Sequence, residues 1–460
     1  MRMEHSVSIE YARCRGCTTC MKTCPTQAIR VRRGKATILD ERCIDCGACI
    51  RSCPHKAIKA VSDPLTCLEE FQYTVALPDP ALYSQFQNMD NIDRILDALT
   101  GLGFYAVYET AKGASLLTDY ARSHPEALRD VPRPIISSAC PAVLRLIQIR
   151  FPQLIGHIAA TISPVELSAI LARQKAVEET GLLPEQIGVF AIVPCSAQVT
   201  EAHSPGDLQA PVLDGAFSIQ DLYLKLLGPM KRIDAPRPLS TAGRAGVRWA
   251  FCGGEASVRG SGERFLAVDG MDSVIQVLEA IEDDRITDVD FVELSACTKG
   301  CVGGCLTVEN PFVAAMRLRH LIDGLPASTG SFDDEVGDPA LIQPDKPLEF
   351  SPVLLLDEDR RAAMEKMAAI HDLERQLPGL LCGSCGAPSC HAFAEDVVLG
   401  RADRSDCIFQ VRARMQEITG DGDPDDYLPT PFRKRRTSDK AVHVARGTNL
   451  RSNGPKYPPA

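Results

Sequence analysis

The hydrophobic and polar positions between Phe71 and Leu325 alternate between short apolar runs and longer segments of helical periodicity. The short runs are rich in β-branched residues, and such alternation is typical of an α/β domain with mainly parallel strands. The predicted strands are Tyr73–Leu77, Phe104–Tyr108, Arg133–Ser137, Gly188–Val193 and Asp290–Leu294. We therefore expect the middle of the chain to be built on parallel β-sheet covered by helices.

One helix in this region has clearly marked ends. Ser163 can cap it, Pro164 suits the first helical position, and Glu166 completes a capping box. Gly181 can end it, because glycine readily adopts the left-handed conformation that closes a helix.

Three of the predicted strands run directly into cysteines, at Cys140, Cys195 and Cys297. Ligands in open α/β sheets bind beyond the carboxyl ends of the strands. We therefore expect these three thiols to converge in one crevice.

The first 66 residues contain an internal repeat. Cys24-Pro-Thr-Gln-Ala-Ile and Cys53-Pro-His-Lys-Ala-Ile stand 29 residues apart within matching cysteine runs, which predicts a pseudo-twofold module. Between the halves, the alternating positions from Ile29 to Ile38 predict a hairpin that turns at Arg33 and Gly34. We interpret the arginines of this hairpin as a solvated turn.

The eight cysteines of this module form two runs of C-x2-C-x2-C-x3-C, each followed by proline. They are Cys14, Cys17, Cys20 and Cys24 in the first run and Cys43, Cys46, Cys49 and Cys53 in the second. This is the spacing of a two-cluster 4Fe-4S ferredoxin, in which three thiolates bind one cluster and the fourth cysteine reaches the other. Cys53 would then complete the first cluster and Cys24 the second. A zinc site would explain neither the third cysteine step nor the prolines.

A further cysteine pattern, C-x2-C-x4-C-x16-C, follows a helix predicted from Asp357 to about Gln376. Its members are Cys382, Cys385, Cys390 and Cys407. The pattern resembles the small 4Fe-4S domain of corrinoid iron-sulfur proteins and of an electron-transport complex subunit, and a four-thiolate zinc site is the alternative. We assign this domain to residues 353–420. A linker rich in Asp, Pro, Gly and Ser precedes it at 326–352, and a disordered tail is expected at 421–460.

Composition and charge narrow the classes of function. The 460-residue chain is 45% hydrophobic and 24% charged, as in ordinary globular proteins, and its net charge of -10 gives no reason to expect a nucleic-acid partner. No apolar stretch suits a membrane helix, and residues 1–13 carry charges where a signal peptide is apolar, so we expect a cytoplasmic protein without membrane attachment. Of the nineteen cysteines, we interpret Cys67, Cys252 and Cys305 as buried apolar residues.

Three motifs in the middle domain resemble the signatures of the iron-only (FeFe) hydrogenases. Glu293-Leu-Ser-Ala-Cys297-Thr-Lys-Gly-Cys301-Val-Gly-Gly304 is similar to the third signature, E-x-M-x-C-x2-G-C-x2-G-G. Val193-Pro-Cys195-Ser-Ala-Gln-Val-Thr-Glu201 is similar to the second, M-P-C-x2-K-x2-E, and Ser138-Ala-Cys140-Pro141 to the first, T-S-C-C-P-x-W. All three occur in the family's order behind a ferredoxin-type module, so the resemblance spans roughly the first 325 residues.

The resemblance implies a fold and a cofactor. The fold is an α/β H-domain of two parallel-sheet lobes at residues 67–325, between a ferredoxin-like α+β module at 1–66 and a small helical C-terminal iron-sulfur domain. The cofactor is an H-cluster, in which Cys140, Cys195, Cys297 and Cys301 hold a 4Fe-4S cluster and Cys301 bridges to a diiron subsite carrying CO and cyanide. It would join three ordinary 4Fe-4S clusters, two N-terminal and one C-terminal. The neighbouring cofactor-binding positions are Pro141, Pro194, Gly300, Gly303 and Gly304.

Several positions depart from the family's pattern at the diiron pocket. Ala139 stands where the family has a proton-relaying cysteine, and a methyl group cannot carry a proton. Gln198 replaces the lysine that binds a cyanide ligand, which keeps a hydrogen-bond donor but loses the charge. Ser295 replaces a methionine that packs on the subsite.

The implied proton path is changed elsewhere too. Val143 replaces the family's tryptophan, and residues 117–124 align with an acidic relay helix but lack its glutamates. Ser163 and Glu201 remain among the residues expected to line the site. Fast turnover of hydrogen is therefore not expected.

The resemblance leaves open whether the chain turns over hydrogen at all. The first hypothesis is a sensory-type homologue that lacks the relay cysteine, senses hydrogen or redox state, and passes electrons along 4Fe-4S clusters to a redox or signalling protein. Maturation machinery would then be a second partner. The alternative is a non-catalytic iron-sulfur electron carrier with only a 4Fe-4S cluster at the H-cluster position. A third hypothesis is a slow hydrogenase with another proton route.

Overall fold

The computed structural model describes residues 5–419 except 88, 90, 207, 261, 328–329 and 354–355. The chain divides into two compact units, Met1–Glu358 and Asp359–Ala460. The predicted disordered tail at 421–460 lies outside the described residues. Within the described ranges, none of the helices combines the length and the apolar character needed to cross a bilayer.

The N-terminal module repeats a strand and a short helix in each half. Its elements are β1 (Val7–Ile9), α1 (Thr19–Thr23), β2 (Ile29–Arg32), β3 (Lys35–Ile38), α2 (Ala48–Ser52) and β4 (Ile58–Ala60). The hairpin predicted from the alternating pattern is confirmed by the antiparallel pairing of β2 with β3, and β1 pairs antiparallel with β4. Arg33 is exposed at the turn, whereas Arg30 is buried and donates to the carbonyl of Gln27, so the solvated-turn interpretation holds for Arg33 but not for Arg30.

The rest of the first unit is an α/β domain. Its elements are β5 (Tyr73–Pro78), α3 (Asp93–Thr100), β6 (Ala106–Val107), α4 (Thr110–Ser123), β7 (Ile135–Ile136), α5 (Pro141–Arg150), α6 (Pro164–Thr180), β8 (Ile187–Val193), α7 (Ser196–His203), β9 (Gly215–Ser218), α8 (Ile219–Arg232), α9 (Arg244–Val247), α10 (Ala256–Arg259), β10 (Phe265–Asp269), α11 (Met271–Glu282), β11 (Phe291–Ser295), α12 (Pro311–Asp323) and α13 (Phe332–Glu335).

Two parallel sheets give the domain its two lobes. The first has the strand order β6-β5-β8-β9 and the second β10-β11-β7, and all of their pairings are parallel. Every residue of β8 is buried, as expected for a strand covered by helices on both faces. All five predicted strands are present, although those at 104–108 and 133–137 shorten to two residues each.

The capping residues predicted for α6 act as expected. The Glu166 backbone N–H donates to Ser163 Oγ at 3.3 Å, and the Ser163 backbone N–H donates to Glu166 Oε2 at 2.8 Å. Gly181 ends the helix in the left-handed conformation, with φ of 70°. The capping box therefore fixes Ser163, one of the predicted site residues, at the start of a 17-residue helix.

The described part of the predicted linker packs against the domain. Phe332 is fully buried beside Tyr120 of α4, and Lys112 of α4 lies 2.6 Å from Glu335 in an ion pair. The backbone N–H of Ile162 donates to the carbonyl of Ile342. Phe332 and Ile342 are buried in this segment, and Val336 and Leu341 pack beside them, which holds the segment on α4 and beside α6.

The second unit has three helices in its described part, α14 (Arg360–Arg375), α15 (Cys390–Val398) and α16 (Ile408–Thr419). Helix α14 matches the helix predicted at 357–376, and the Asp359 side chain caps it by accepting from the Ala362 backbone N–H at 2.8 Å. Ile370 and Leu373 are its buried residues.

Candidate metal centres

The N-terminal module contains two cavities, each lined by four thiols. The first, of about 330 Å³, is lined by Cys14, Cys17, Cys20 and Cys53. The second, of about 340 Å³, is lined by Cys24, Cys43, Cys46 and Cys49. The fourth cysteine of each run thus lies with three cysteines of the other run, as the spacing predicts. The Ala28 and Ala57 backbone N–H groups donate to Cys24 and Cys53 at 3.2 and 3.3 Å, the kind of contact that orients and stabilises thiolate ligands.

The C-terminal unit has a similar cavity of about 310 Å³. The four cysteines that line it are Cys382, Cys385, Cys390 and Cys407. Cys390 begins α15, which Ser389 caps, and Cys407 directly precedes α16, so helix ends fix two of the four thiols. The arrangement fits a tetrathiolate metal site.

The three cysteines that follow strands meet in one cavity with Cys301. Cys140 follows β7 and is the N-cap of α5, Cys195 follows β8 and is the N-cap of α7, and Cys297 follows β11. Cys301 lies in the tight turn Gly300–Gly303. All four thiols line a cavity of about 620 Å³ between the ends of the two sheets. We call it the middle cavity.

A second cavity, of about 470 Å³, contacts the same residues from another side. Ala139, Gln198, Trp249 and Cys301 line both cavities. The outer cavity, as we call this second space, is also lined by Asp79, Ser163 and Glu201. Ser295 lines the middle cavity. The predicted site residues are therefore brought together, with the Ala139 methyl group on the shared wall.

Burial strongly affects the thiols of the middle cavity. It raises the pKa of Cys140 to about 11 and the pKa of Cys301 well above the ordinary value. Burial, followed by the neighbouring Cys297, does the same for the pKa of Cys195. These thiols are therefore protonated at neutral pH until a metal replaces the protons. Four sulfur donors around one cavity, from the buried Cys297 and three partly buried cysteines, fit a 4Fe-4S cluster, which requires four thiolates.

Two buried carboxyl groups support the cysteine loops. Glu293 of β11 accepts from the backbone N–H groups of Gly253 and Ala256 at 2.8 Å each. These bonds fix the loop at 253–256, which follows Cys252, against β11. Burial, and then the charge of Glu293, raises the pKa of Glu255 to about 8. Ser137 Oγ donates to Glu255 at 2.5 Å and accepts from the Ala139 backbone N–H, so this chain holds the backbone beside Cys140 in place.

Asp79 and Gln198 form a polar pair in the wall of the outer cavity. Burial raises the pKa of Asp79 to about 6, although the carboxylate also accepts from the Ala81 backbone N–H and from the Gln198 amide. The Gln198 Oε1 atom is buried and lacks a hydrogen-bond partner among the described residues. A buried polar atom left unpaired costs about 1–3 kcal/mol, so the wall favours a bound group that satisfies it.

Two glycines allow the cysteine loop to pass close to other backbone. Gly300 has φ of 81°, and a Cβ atom there would lie 2.7 Å from the Cys252 nitrogen. A Cβ atom at Gly304 would lie 2.2 Å from the Pro194 carbonyl oxygen. Pro141 lines the middle cavity, and the Gly303 carbonyl accepts a side-chain hydrogen bond from Arg51. The predicted cofactor-binding glycines thus have a steric reason to be glycine.

Some functional side chains could not be identified from the motifs. Arg51 of the N-terminal module donates to Cys297 Sγ at 3.4 Å, and Cys46 lines the middle cavity as well as its own. Trp249 lines both cavities and donates to Thr118 Oγ1 at 3.0 Å, whereas Val143 is buried in the neighbouring apolar core and lines neither cavity. Trp249 is the single tryptophan of the chain, and a buried indole N–H needs a hydrogen-bond partner. This was the one feature of the sequence that could have marked Trp249 as a site residue.

The aligned relay segment contributes less than expected. Leu117 and Tyr120 pack in an apolar core with Phe332, and the residues of α4 that line the outer cavity lie earlier in the helix, at Thr110, Ala111 and Ala114. None of these side chains has a carboxyl group.

The three remaining cysteines differ in burial. Cys305 is buried, as predicted, and lies 3.4 Å from Ser196 Oγ. Cys67 and Cys252 are only partly buried, which corrects the interpretation of both as buried residues. The cause is that both lie on loops or short turns at the edge of their cores.

Comparison with known proteins agrees with this geometry. The model of the iron-only hydrogenase large subunit, C-terminal domain, matches residues 72–224 and 246–305. The model of a 4Fe-4S dicluster domain matches residues 6–54, and a model of an Fe-S cluster domain matches residues 377–409. The middle of the chain therefore matches the C-terminal domain of iron-only hydrogenase large subunits, and the chain is a hydrogenase-like iron-sulfur protein.

Among characterised relatives, the chain is 32% identical over 219 residues to the periplasmic Fe hydrogenase large subunit of Nitratidesulfovibrio vulgaris, covering 44% of this chain and 52% of that protein. It is 24% identical over 258 residues to the NADP-reducing hydrogenase subunit HndD of Solidesulfovibrio fructosivorans, covering 45% and 44%. The chain thus spans about half the length of these relatives. A solved structure of the FeFe hydrogenase HydA1 from Chlamydomonas reinhardtii aligns with 16% identity and a TM-score of 0.47, covering 63% of this chain and 98% of that one.

Proposed function

We propose that the protein is a sensory-type hydrogenase homologue that responds to hydrogen or redox state with little turnover. The proposal rests on one observation: four thiols converge on one cavity, and the side chain beside them at position 139 is only a methyl group. Cys140, Cys195, Cys297 and Cys301 line the middle cavity, and Ala139 lies on the wall that it shares with the outer cavity. The ligands of the family's cofactor are kept, while the proton-carrying side chain is absent.

The residues around the two cavities have distinct roles in this proposal. The four cysteines bind the 4Fe-4S part of an H-cluster, which supplies reversible hydrogen chemistry when bound. The Gln198 side chain lines both cavities, so its amide N–H could donate to a group held in the outer cavity. Since Ala139 cannot accept a proton, a hydrogen-binding group held in the outer cavity would lack rapid proton removal at this position.

Electrons reach or leave this site through the N-terminal module. Cys46 lines both the second N-terminal cavity and the middle cavity, so two clusters in these cavities would be neighbours. A redox or signalling protein would then read the state of the N-terminal clusters or of the C-terminal one. We place the protein in the cytoplasm, with no nucleic-acid or membrane partner and with maturation machinery as a transient one.

Infrared spectroscopy of the matured protein tests this proposal. Bands of CO and cyanide ligands are expected, because a diiron subsite carries both. Their absence from protein that has been matured with an active control hydrogenase in the same cells would contradict the proposal.

The second candidate is an iron-sulfur electron carrier without a diiron group. It is favoured by Gln198 and Ser295, since neither supplies the charge or the thioether that the family places around the diiron pocket. Iron counting separates the two candidates. About sixteen irons per chain fit four 4Fe-4S clusters, and about eighteen require a further diiron group.

A further inference from the structure

Arg51 connects the N-terminal module to the middle cavity. It lies on α2, two residues after Cys49 and two before Cys53. Although Arg51 is exposed overall, its Nη1 atom donates to Cys297 Sγ at 3.4 Å and to the Gly303 carbonyl oxygen at 3.0 Å. One guanidinium nitrogen therefore contacts both the Cys297 thiol and the backbone of the turn that carries Cys301.

We propose that Arg51 is a positioning residue that raises the reduction potential of a cluster held by the four cysteines of the middle cavity. Arg51 thereby sets the equilibrium of electron exchange between this cluster and the second N-terminal cluster. The proposal rests on the part of the proposed function that assigns a 4Fe-4S cluster to the middle cavity, and it does not require a diiron group. In the exchange, one electron leaves the N-terminal cluster, which is oxidised, and enters the middle cluster, which is reduced. No bond forms or breaks, and no proton moves.

The physical reason is the charge of the guanidinium. Reduction adds negative charge to a thiolate-bound cluster, and hydrogen bonds to the sulfurs are among the factors that set cluster potentials. A hydrogen bond from a charged donor is roughly twice as strong as a neutral one. Because arginine stays protonated throughout the usable pH range, the contact with Cys297 stabilises the reduced cluster at every pH.

The internal repeat provides a matched position that lacks this contact. Lys22 occupies the place in α1 that Arg51 occupies in α2, two residues after Cys20 and two before Cys24. It is exposed, and within the described ranges its side chain has no hydrogen bond to a cysteine. Both halves thus have a cationic residue at this position. Of these two, within the described part of the chain, only Arg51 of the second half contacts a thiol of the middle cavity, that of Cys297.

The packing of the second half explains the difference. Gly47 lies so close to the hydrogenase-like domain that a Cβ atom there would be 2.3 Å from Cys305 Sγ. This close approach brings α2, which begins at Ala48, against the loop of Cys297. The contact of Arg51 therefore follows from how the module docks.

Redox titration followed by electron paramagnetic resonance tests the proposal on the full chain, reconstituted with iron and sulfide but not matured. Arg51→Gln removes the charge and is expected to lower the electron-exchange constant towards the middle cluster about tenfold, or about 59 mV for a one-electron couple. Arg51→Lys keeps a charge without the fork geometry and is expected to lower it by about threefold. Lys22→Gln, the matched control, is expected to leave the potential of the middle cluster unchanged.

Several outcomes would overturn the proposal. Equal shifts for Arg51→Gln and Lys22→Gln would mean that only the net charge of the module matters, and no shift for Arg51→Gln would mean that the contact is neutral. If Arg51→Gln fails to retain its clusters, Arg51→Met, which also removes the charge, replaces it, and a wild-type potential for that variant overturns the proposal. A missing middle-cluster signal in the wild-type chain refutes both this proposal and the proposed function. Missing infrared bands with the expected potential shift refute only the diiron group.

Discussion

At the scale of single residues, the proposed function depends most on Ala139. Its methyl group lies on the wall shared by the two cavities, and its backbone N–H is held by Ser137. The backbone is thus fixed in the place from which a longer side chain would reach the outer cavity. In the proposed function, the absence of a thiol at this position would separate binding of the cofactor from proton transfer.

Replacing Ala139 by cysteine tests how much of the proton path is lost. A restored general acid–base group is worth roughly 10²–10⁴-fold in rate when the rest of the path is intact. We expect Ala139→Cys to raise hydrogen evolution by less than about tenfold, because Thr110, Ala111 and Ala114 line the outer cavity on α4 and none is an acid. Hydrogen evolution from a reduced dye measures this after maturation.

The control for that experiment is Ala142→Cys. Ala142 lines the middle cavity but is absent from the lining of the outer one, so it adds a thiol near the site without placing it on the shared wall. A rise of a hundredfold for Ala139→Cys alone would favour the slow-hydrogenase hypothesis, since it would show that a working path remains.

The sequence predicts which residues share a site when they lie close together along the chain. It does not predict contacts between residues that only the packing of the domains brings together. The four thiols of each N-terminal site lie within 40 positions of one another, and their spacing alone predicts the exchange of Cys24 and Cys53 between clusters. Arg51 and Cys297 are separated by 246 positions. Their contact depends on how the module docks, which no local pattern records. Trp249 was missed for the same reason.

At the scale of elements, the strand ends determine where the chemistry lies. Strands β7, β8 and β11 each lead into a cysteine, and their short apolar runs rich in β-branched residues made them recognisable from the sequence. The strands that the sequence analysis missed have weaker signals. β9 is four residues long and begins with glycine. β10 has an apolar run of only four residues, Phe265 to Val268, and it is half-buried at most.

Helix α7 is tied at its end to the segment that connects the two domains. His203 Nε2 lies 2.8 Å from Asp63 Oδ2, and Asp63 also accepts from the Ala216 backbone N–H at 2.7 Å. The hydrogen bond with Asp63 raises the pKa of His203 above its ordinary value. Protonated His203 therefore helps to hold α7, which begins directly after Cys195.

This contact predicts a dependence of stability on pH. Because the pKa of His203 is raised on folding, its stabilising effect is fully present below the unfolded-state value of about 6.5 and is lost as pH rises through the folded-state value. We expect the difference in thermal unfolding midpoint between wild type and His203→Gln to shrink from pH 6 to pH 9. The exposed His55 provides the control, and the same trend for His55→Gln would show that the effect is not specific to this pair.

At the scale of the whole first unit, a buried ion pair fixes the ferredoxin-type module on the hydrogenase-like domain. The Asp45 side chain is fully buried and lies 2.7 Å from Arg145 Nη1 of α5. Its other oxygen accepts from the backbone N–H groups of Ser6 and Val7 at 3.1 and 3.3 Å. The Asp45 carbonyl accepts from Ser196 Oγ, so α7 also contributes to the docking.

Removing Arg145 leaves a buried carboxylate without its cation. A buried pair broken on one side costs about 3–5 kcal/mol, and we expect a value near the lower end for Arg145→Met because Arg145 is itself partly exposed. Arg150→Met is the matched control, since Arg150 and Glu279 are also 2.7 Å apart but both exposed, and such pairs contribute about 0–1 kcal/mol. Chemical unfolding measures both, and equal losses would contradict a docking role for Asp45.

The repeat within the N-terminal module gives it an inner and an outer side. The second half is turned inwards, with Gly47 against Cys305 and Cys46 in the wall of the middle cavity. The first half is turned outwards, and its Cys17 is exposed. The two halves of the repeat thus differ in access, because the second contacts the middle cavity and the first faces away from it. In the proposed electron path, a carrier protein would therefore approach the module at the Cys17 face.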